Sequence, residues 1–207
     1  LFPLDHPDWY PPDKEPFYRA AAGHAWRTCR AVTGISDDTL ASARRHFGER
    51  TGVTRTTPLG PGNHVGDPAN APRDPSVGPG PYLFTISTIE PRKNLGTLFA
   101  AFAALKRKDV RLVVAGGKGW LYESALARIG ELGIADRVDL LGYVADDRLP
   151  GLYGHAEAYV CPSLTEGFGM PVLEAMLAGT PVVSSDAGAL PEVGGNLVRY
   201  FSPTDAE

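Results

Sequence analysis

The sequence predicts an α/β protein in which a parallel sheet is covered by helices on both faces, and three observations carry that expectation. Downstream of residue 80, short runs rich in Val, Leu, Ile and aromatic residues alternate with segments of helical periodicity. Buried parallel strands read as continuous apolar runs because both their faces are covered, and the connection between two of them must be helix-sized. Several runs end in glycine, as at Gly116-Gly117 and Gly142, where a strand has to turn toward the next helix. Finally, 207 residues that are 43% hydrophobic and 21% charged can bury a sizeable core.

Taken in order, the chain is helical in pattern from Ala20 to Phe47, with a break at Gly34-Ile35-Ser36. Ser36 is placed to N-cap a helix from Asp37 to Phe47, whose first turn carries acids that favour the positive end of the helix dipole. Before it, Ala31, Val32 and Ile35 give the stretch Cys29 to Ile35 the character of a short strand. Residues 1–60 thus read as the end of a first α/β domain. Composition then shifts from Thr57 to Pro81, with Pro68, Pro72, Pro75, Pro79 and Pro81, so that 61–80 is expected to be a linker and 81–207 a second domain, incomplete at its end.

In that second domain Tyr82–Ile89 is a strand, and Leu95, Leu98, Phe99, Phe102 and Leu105 fall on one helical face. Arg111–Ala115 is a strand, Leu121–Leu132 a helix, Val138–Leu141 a strand, Asp147–Tyr153 a short helix, and Ala158–Pro162 a strand. A helix after Gly169 and a strand Pro181–Ser184 complete the series. Such alternation implies right-handed crossovers and a Rossmann-like sheet, with ligands gathered at the carboxyl ends of its strands.

A net charge of −4 and a pI near 5.7 disfavour nucleic acid as a partner. Cys29 and Cys161 lie far apart, and Cys161 reads as a buried free thiol of a reducing, cytoplasmic compartment. The histidines His6, His24, His46, His64 and His155 show no metal-ligand spacing, so no metal site is expected. No apolar run reaches the roughly 20 residues of a membrane-spanning helix. The chain opens at Leu1 without methionine and reads as a piece of a longer protein.

The stretch Glu166-Gly-Phe-Gly-Met-Pro-Val-Leu-Glu174 concentrates the candidate chemistry. Gly167 and Gly169 free backbone N–H groups ahead of a helix, and Pro171 suits the first helical turn. Glu174 is expected in that first turn, where the dipole alone would explain it at about 0.3–1 kcal/mol. Two carboxylates here also suit a polyol, since each charge-assisted bond to a hydroxyl is worth roughly 1.5–3 kcal/mol. The turn Ile89-Glu-Pro-Arg92-Lys93-Asn94 offers two cations before a helix, which face a diphosphate or, alone, would be a solvated pair. Gly117 and Lys118 end the second strand, Tyr143 the third, and Ser163 to Thr165 lead into Glu166. Asp186 reads as a cap or turn residue. His64 lies near the domain boundary.

Together, the two glutamates with seven residues between them, the Gly-Phe-Gly-Met-Pro insert and the Ala-Met-Leu-Ala-Gly-Thr-Pro-Val-Val that follows closely resemble the nucleotide-sugar signature of retaining GT-B glycosyltransferases of the family 4 type. Glu90-Pro91-Arg92-Lys93-Asn94 resembles the mannosyltransferase branch. The resemblance implies that residues 81–207 form the donor domain and 1–60 the end of the acceptor-side domain. It gives Glu166 to the transferred sugar, Glu174 to the ribose, and Arg92 and Lys93 to the diphosphate. The backbone of Gly167, Phe168, Gly169 and Met170 would assist, with Gly117 and Tyr143 beside the nucleotide. Thr88 stands where the family has an arginine, and Arg92 is expected to replace it. The implied activity is metal-independent transfer of a hexose, with retention, to a glycan, lipid-linked or small-molecule acceptor in polysaccharide biosynthesis. The donor is GDP-mannose or, less in keeping with the branch, a UDP-sugar, and no further cofactor is expected. Peripheral contact with the inner face of a membrane would come through parts outside this chain. A non-catalytic nucleotide-sugar-binding module on the same fold remains the alternative.

Overall fold

The structure, a computed structural model, describes residues 1–62 and 70–204; His64 lies outside the described residues. The N-terminal part runs α1 (Phe2–Asp5), α2 (Lys14–Thr28), β1 (Ala31–Gly34), α3 (Asp37–Phe47) and β2 (Val53–Thr56). The expected helix, strand and helix are present, and Ser36 caps α3 by accepting from the Thr39 N–H at 3.1 Å. Helix α2 begins earlier than its apolar pattern suggests, at Lys14, because Pro16 is tolerated in a first turn. Strand β2, which pairs parallel with β1, was not anticipated. Its Val-Thr-Arg-Thr is short and polar, with the half-exposed alternation of an edge. Leu40 and Ala43 of α3 pack on Trp26 of α2, whose indole N–H donates to the Gly48 carbonyl at 2.9 Å.

The rest builds β3 (Tyr82–Ile86), α4 (Leu95–Ala104), β4 (Arg111–Ala115), α5 (Glu123–Glu131), β5 (Val138–Gly142), α6 (Leu149–Gly154), β6 (Ala158–Cys161), α7 (Met170–Leu177), β7 (Val182–Ser185), α8 (Leu190–Gly194) and β8 (Arg199–Phe201). The strands form one six-stranded sheet in the order β5-β4-β3-β6-β7-β8, parallel throughout. Successive residues of β4 go to opposite faces. Val113 joins Tyr82, Phe84, Tyr153, Tyr159 and Val172 in one cluster, while Leu112 and Val114 join Leu95, Phe99, Phe102 and Ile129 in the other. This two-sided burial is why the strands read as unbroken apolar runs. Strand β8 was missed, since three residues with exposed Arg199 carry little signal.

The chain steps outward from β3 to β5 and then crosses back to begin again at β6. The order therefore reverses between β3 and β6, leaving a crevice at their carboxyl ends. The last part of the expected linker is fixed to the domain. Asp74 is buried and receives both Nε and Nη2 of Arg148, at 2.7 and 2.8 Å, while Arg73 lies over the Tyr82 ring. Among the described residues no helix is long and apolar enough to cross a membrane.

Candidate functional site

The loops that leave β3, β4, β5 and β6 are bonded to one another, and this sets the site. Ser87 N–H donates to Ala115 O and Ile89 N–H to Gly117 O, each at 2.9 Å, extending the β3–β4 pairing beyond the strands proper. Gly116 N–H donates to Gly142 O at 2.6 Å, and Leu164 N–H to Arg92 O at 2.8 Å. Gly116 has φ +120°, and a Cβ there would lie 1.9 Å from the Ser87 carbonyl oxygen, so only glycine allows the two turns to close. The edge thus carries, side by side, Tyr143, Gly117, the Arg92-Lys93 turn and the Glu166 loop.

Glu166 is buried, 8% exposed, and gathers three donors. Arg92 Nη1 reaches its Oε2 at 2.7 Å, Lys93 Nζ its Oε1 at 2.6 Å, and Ser163 Oγ the same Oε1 at 2.7 Å. Burial alone would raise the Glu166 carboxyl pKa, but the Lys93 and Arg92 cations outweigh it and hold the group below the usual carboxylate range. Arg92 is further committed. Its Nε and Nη2 both go to Glu90 Oε1, at 2.9 and 2.7 Å, and Nη1 also donates to Thr165 O. The guanidinium expected to fork onto a diphosphate is therefore spread over two carboxylates, because Glu90 sits two residues away on the same turn. Beneath lies a cavity of about 10 Å³, room for about one water, lined by Thr85, Ser87, Lys93, Cys161, Ser163 and Glu166. Burial pushes the Cys161 thiol pKa up, so it stays a thiol.

Glu174 does not lie in the first turn of its helix. Helix α7 starts at Met170 after an N-cap at Gly169, so Glu174 is the fifth helical residue, one turn in. The dipole explanation loses its basis with that position, since the effect fades beyond the first turn. The side chain is buried instead, and Oε2 accepts the Tyr153 hydroxyl at 2.9 Å. Gly169 adopts φ +98°, and a Cβ would fall 2.7 Å from Leu190 Cδ2. Through that turn the N–H groups of Gly167, Phe168, Gly169 and Met170 have no hydrogen-bond partner among the described residues. Phe168 itself is buried, 8% exposed.

Gly117 is exposed, as is the Tyr143 side chain, at 80%. Lys118 leans on the Tyr122 ring, and Thr88 is exposed. Asp186 does not cap α8, whose N-cap is Ala189; its N–H donates to Phe201 O instead. Glu90, Tyr153 and Ser87, whose buried hydroxyl has no partner among the described residues, were given no role from the sequence. The N-terminal segment, likewise given no role from the sequence, reaches the site. The Phe2 ring lies 4.8 Å from the Arg92 guanidinium, Tyr10 packs on Trp120, and Trp120 donates to Trp9 O. Glu192 accepts the Asp37 and Asp38 N–H groups, each at 2.8 Å. Proximity of Glu90 to Arg92 was readable from spacing; the other contacts are long-range and left no local signal. Among the described residues, no group of three or more His, Cys, Asp or Glu is placed to hold a metal ion.

A parallel six-stranded sheet with a charged, N–H-rich crevice at its order reversal is the architecture of nucleotide-dependent α/β proteins. The chain belongs to the family Glycosyl transferases group 1, which matches residues 69–207. It is 41% identical over 130 residues to the O-antigen chain mannosyltransferase B of Escherichia coli, covering 61% of this chain and 34% of that protein. It is 35% identical over 121 residues to the GDP-mannose-dependent alpha-(1-6)-phosphatidylinositol monomannoside mannosyltransferase of Mycobacterium tuberculosis, 54% of this chain and 31% of that one. Among solved structures, the sucrose-phosphate synthase of Thermosynechococcus elongatus superposes with a TM-score of 0.71 at 25% identity, over 92% of this chain and 50% of that one. Anabaena HepE in complex with UDP-glucose gives a TM-score of 0.76 at 24% identity, over 95% and 57%. These are GT-B glycosyltransferase structures, and the expected GT-B fold class holds. The chain spans about a third of the length of these two curated relatives and about half that of the solved structures.

Proposed function

We propose that this chain binds a nucleotide-diphosphate sugar across the carboxyl edge of β4, β3 and β6, as the donor half of a retaining hexosyltransferase. The observation that carries the reading is the convergence, at the order reversal, of Lys93, Arg92 and four N–H groups unpartnered among the described residues with the two buried glutamates. The N–H groups and Lys93 would take the diphosphate, Glu166 the hexose hydroxyls, and Glu174 the ribose hydroxyls. Gly117 and the Gly142-Tyr143 backbone would border the base. Departure of the diphosphate concentrates negative charge where Lys93 and the N-terminus of α7 point, so they stabilise the transition state more than the ground state. Arg92, tied to Glu90 and Glu166, adds positive charge and fixes the Glu166 orientation. The reading assigns the developing charge to these groups and to no metal.

GDP-mannose is the proposed donor and a glycan or lipid-linked molecule the proposed acceptor. The two mannosyltransferase relatives, one of them named as GDP-mannose-dependent, support that choice. Calorimetry with GDP, UDP and their sugar conjugates tests it. Binding of at least one is expected, tighter for GDP, and silence of all of them at millimolar concentration would sink the reading. A Glu174→Ala variant is expected to weaken nucleotide binding by about 1–3 kcal/mol.

A further inference from the structure

We propose that Tyr153 is a positioning residue for the donor nucleotide: its hydroxyl takes one oxygen of Glu174 and leaves the other directed at the ribose. The proposal rests on the reading of Glu174 as the ribose ligand. A glutamate side chain has three rotatable bonds, and a buried carboxylate without a partner is strongly disfavoured. Glu174 is 6% exposed, and among the described residues it has a single side-chain partner, the Tyr153 hydroxyl at 2.9 Å on Oε2. Oε1 is left without one.

Tyr153 is built to hold still. It is 1% exposed, its ring meets Phe84 edge-on at 5.1 Å and Tyr159 at 5.6 Å, and its carbonyl accepts the Thr180 hydroxyl at 2.8 Å. Its helix α6 is tied to β3 by the Tyr82 hydroxyl, which donates to Leu152 O at 2.8 Å. A phenol has one proton to donate, and this one goes to Glu174. The carboxylate is thereby kept in one orientation before any ligand arrives, and a preorganised acceptor binds hydroxyls without first losing its own freedom. This gives a function to a tyrosine that would otherwise be core packing.

The test compares GDP with 2′,3′-dideoxy-GDP on the 207-residue chain, wild type and Tyr153→Phe, by calorimetry. Wild type is expected to prefer GDP, and Tyr153→Phe, which keeps the ring, to bind GDP about tenfold more weakly while binding the dideoxy nucleotide unchanged. An equal loss for both nucleotides, or no loss, would overturn the proposal. A cycle with Glu174→Ala removes ambiguity from altered folding, because that background has no buried carboxylate to leave unpaired. There Tyr153→Phe is expected to have no further effect on GDP affinity, whereas additive losses would mark a purely structural role. If wild type binds both nucleotides equally, Glu174 is not the ribose ligand and the proposal falls while the donor site stands. Absence of any nucleotide binding would remove both.

Discussion

Replacing Glu166 by glutamine is expected to make the protein less stable and, at the same time, a better anion binder. Glu166, Arg92 and Lys93 have side chains only 11%, 13% and 14% exposed, so their pairing is shielded from solvent. Losing one partner of such a buried pair costs about 3–5 kcal/mol, and because glutamine keeps one acceptor the lower end, about 3 kcal/mol, applies. In a chain of this size each kcal/mol moves Tm by roughly 2–4 °C, so a fall of about 6–12 °C is expected in a thermal melt followed by circular dichroism. The electrostatic consequence runs the other way. Glu90 and Glu166 balance Arg92 and Lys93, and the substitution leaves one positive charge in excess. At an effective dielectric of about 20 and a distance of about 5 Å, one added charge is worth roughly 3 kcal/mol to an anion, and partial screening reduces this to about half. Inorganic diphosphate should therefore bind about tenfold more tightly to Glu166→Gln than to wild type in calorimetry. An unchanged diphosphate affinity would refute the reasoning, since the freed cations would then not face the crevice. A Tm within about 2 °C of wild type would show that the cluster is solvated rather than buried.

Two further outcomes follow from other parts of the molecule. The Arg148 hydrogen bonds hold the Asp74 carboxyl at about 2, against an ordinary 3.8. Because the folded value is the lower one, the stabilisation is complete above 3.8 and is lost as pH falls toward 2. With Arg148 partly exposed it amounts to about 1–2 kcal/mol, and Asp74→Asn should remove it at neutral pH and flatten the acid limb between pH 4 and 2 in urea titrations. An acid limb identical to wild type would contradict this. Gly116→Ala forces a Cβ into the Ser87 carbonyl at φ +120°, and a loss of more than about 2 kcal/mol is expected, with weaker nucleotide binding as the β3 and β4 turns separate. A variant with wild-type stability would show that the turns can move apart freely.

What the sequence by itself determined is what short-range physics encodes. The period of apolar residues placed β3 to β7 and their helices, since a strand buried on both faces can only be written as an apolar run. The Ser36 cap, the Pro171 helix start and the Gly169 turn are likewise local. The neighbourhood of Glu166 was expected only as one edge of a shared sheet, since alternation leaves the strand order open; the order β5-β4-β3-β6-β7-β8 is what brings the β3 and β6 loops together. Strands β2 and β8 escaped because edge strands of three or four residues with polar faces carry almost no periodic signal. Only the tertiary structure decided how the charges are shared. Arg92 and Glu166 are 74 residues apart, so their ion pair, which engages a guanidinium expected to meet the diphosphate, had no local trace. Glu174 falls in the second turn of α7 because the helix begins at Met170, directly after the positive-φ Gly169, and its partner Tyr153 comes from another helix 21 residues away. A side chain's type records what chemistry it can do; which partner holds it is settled only when burial removes water as the competing one.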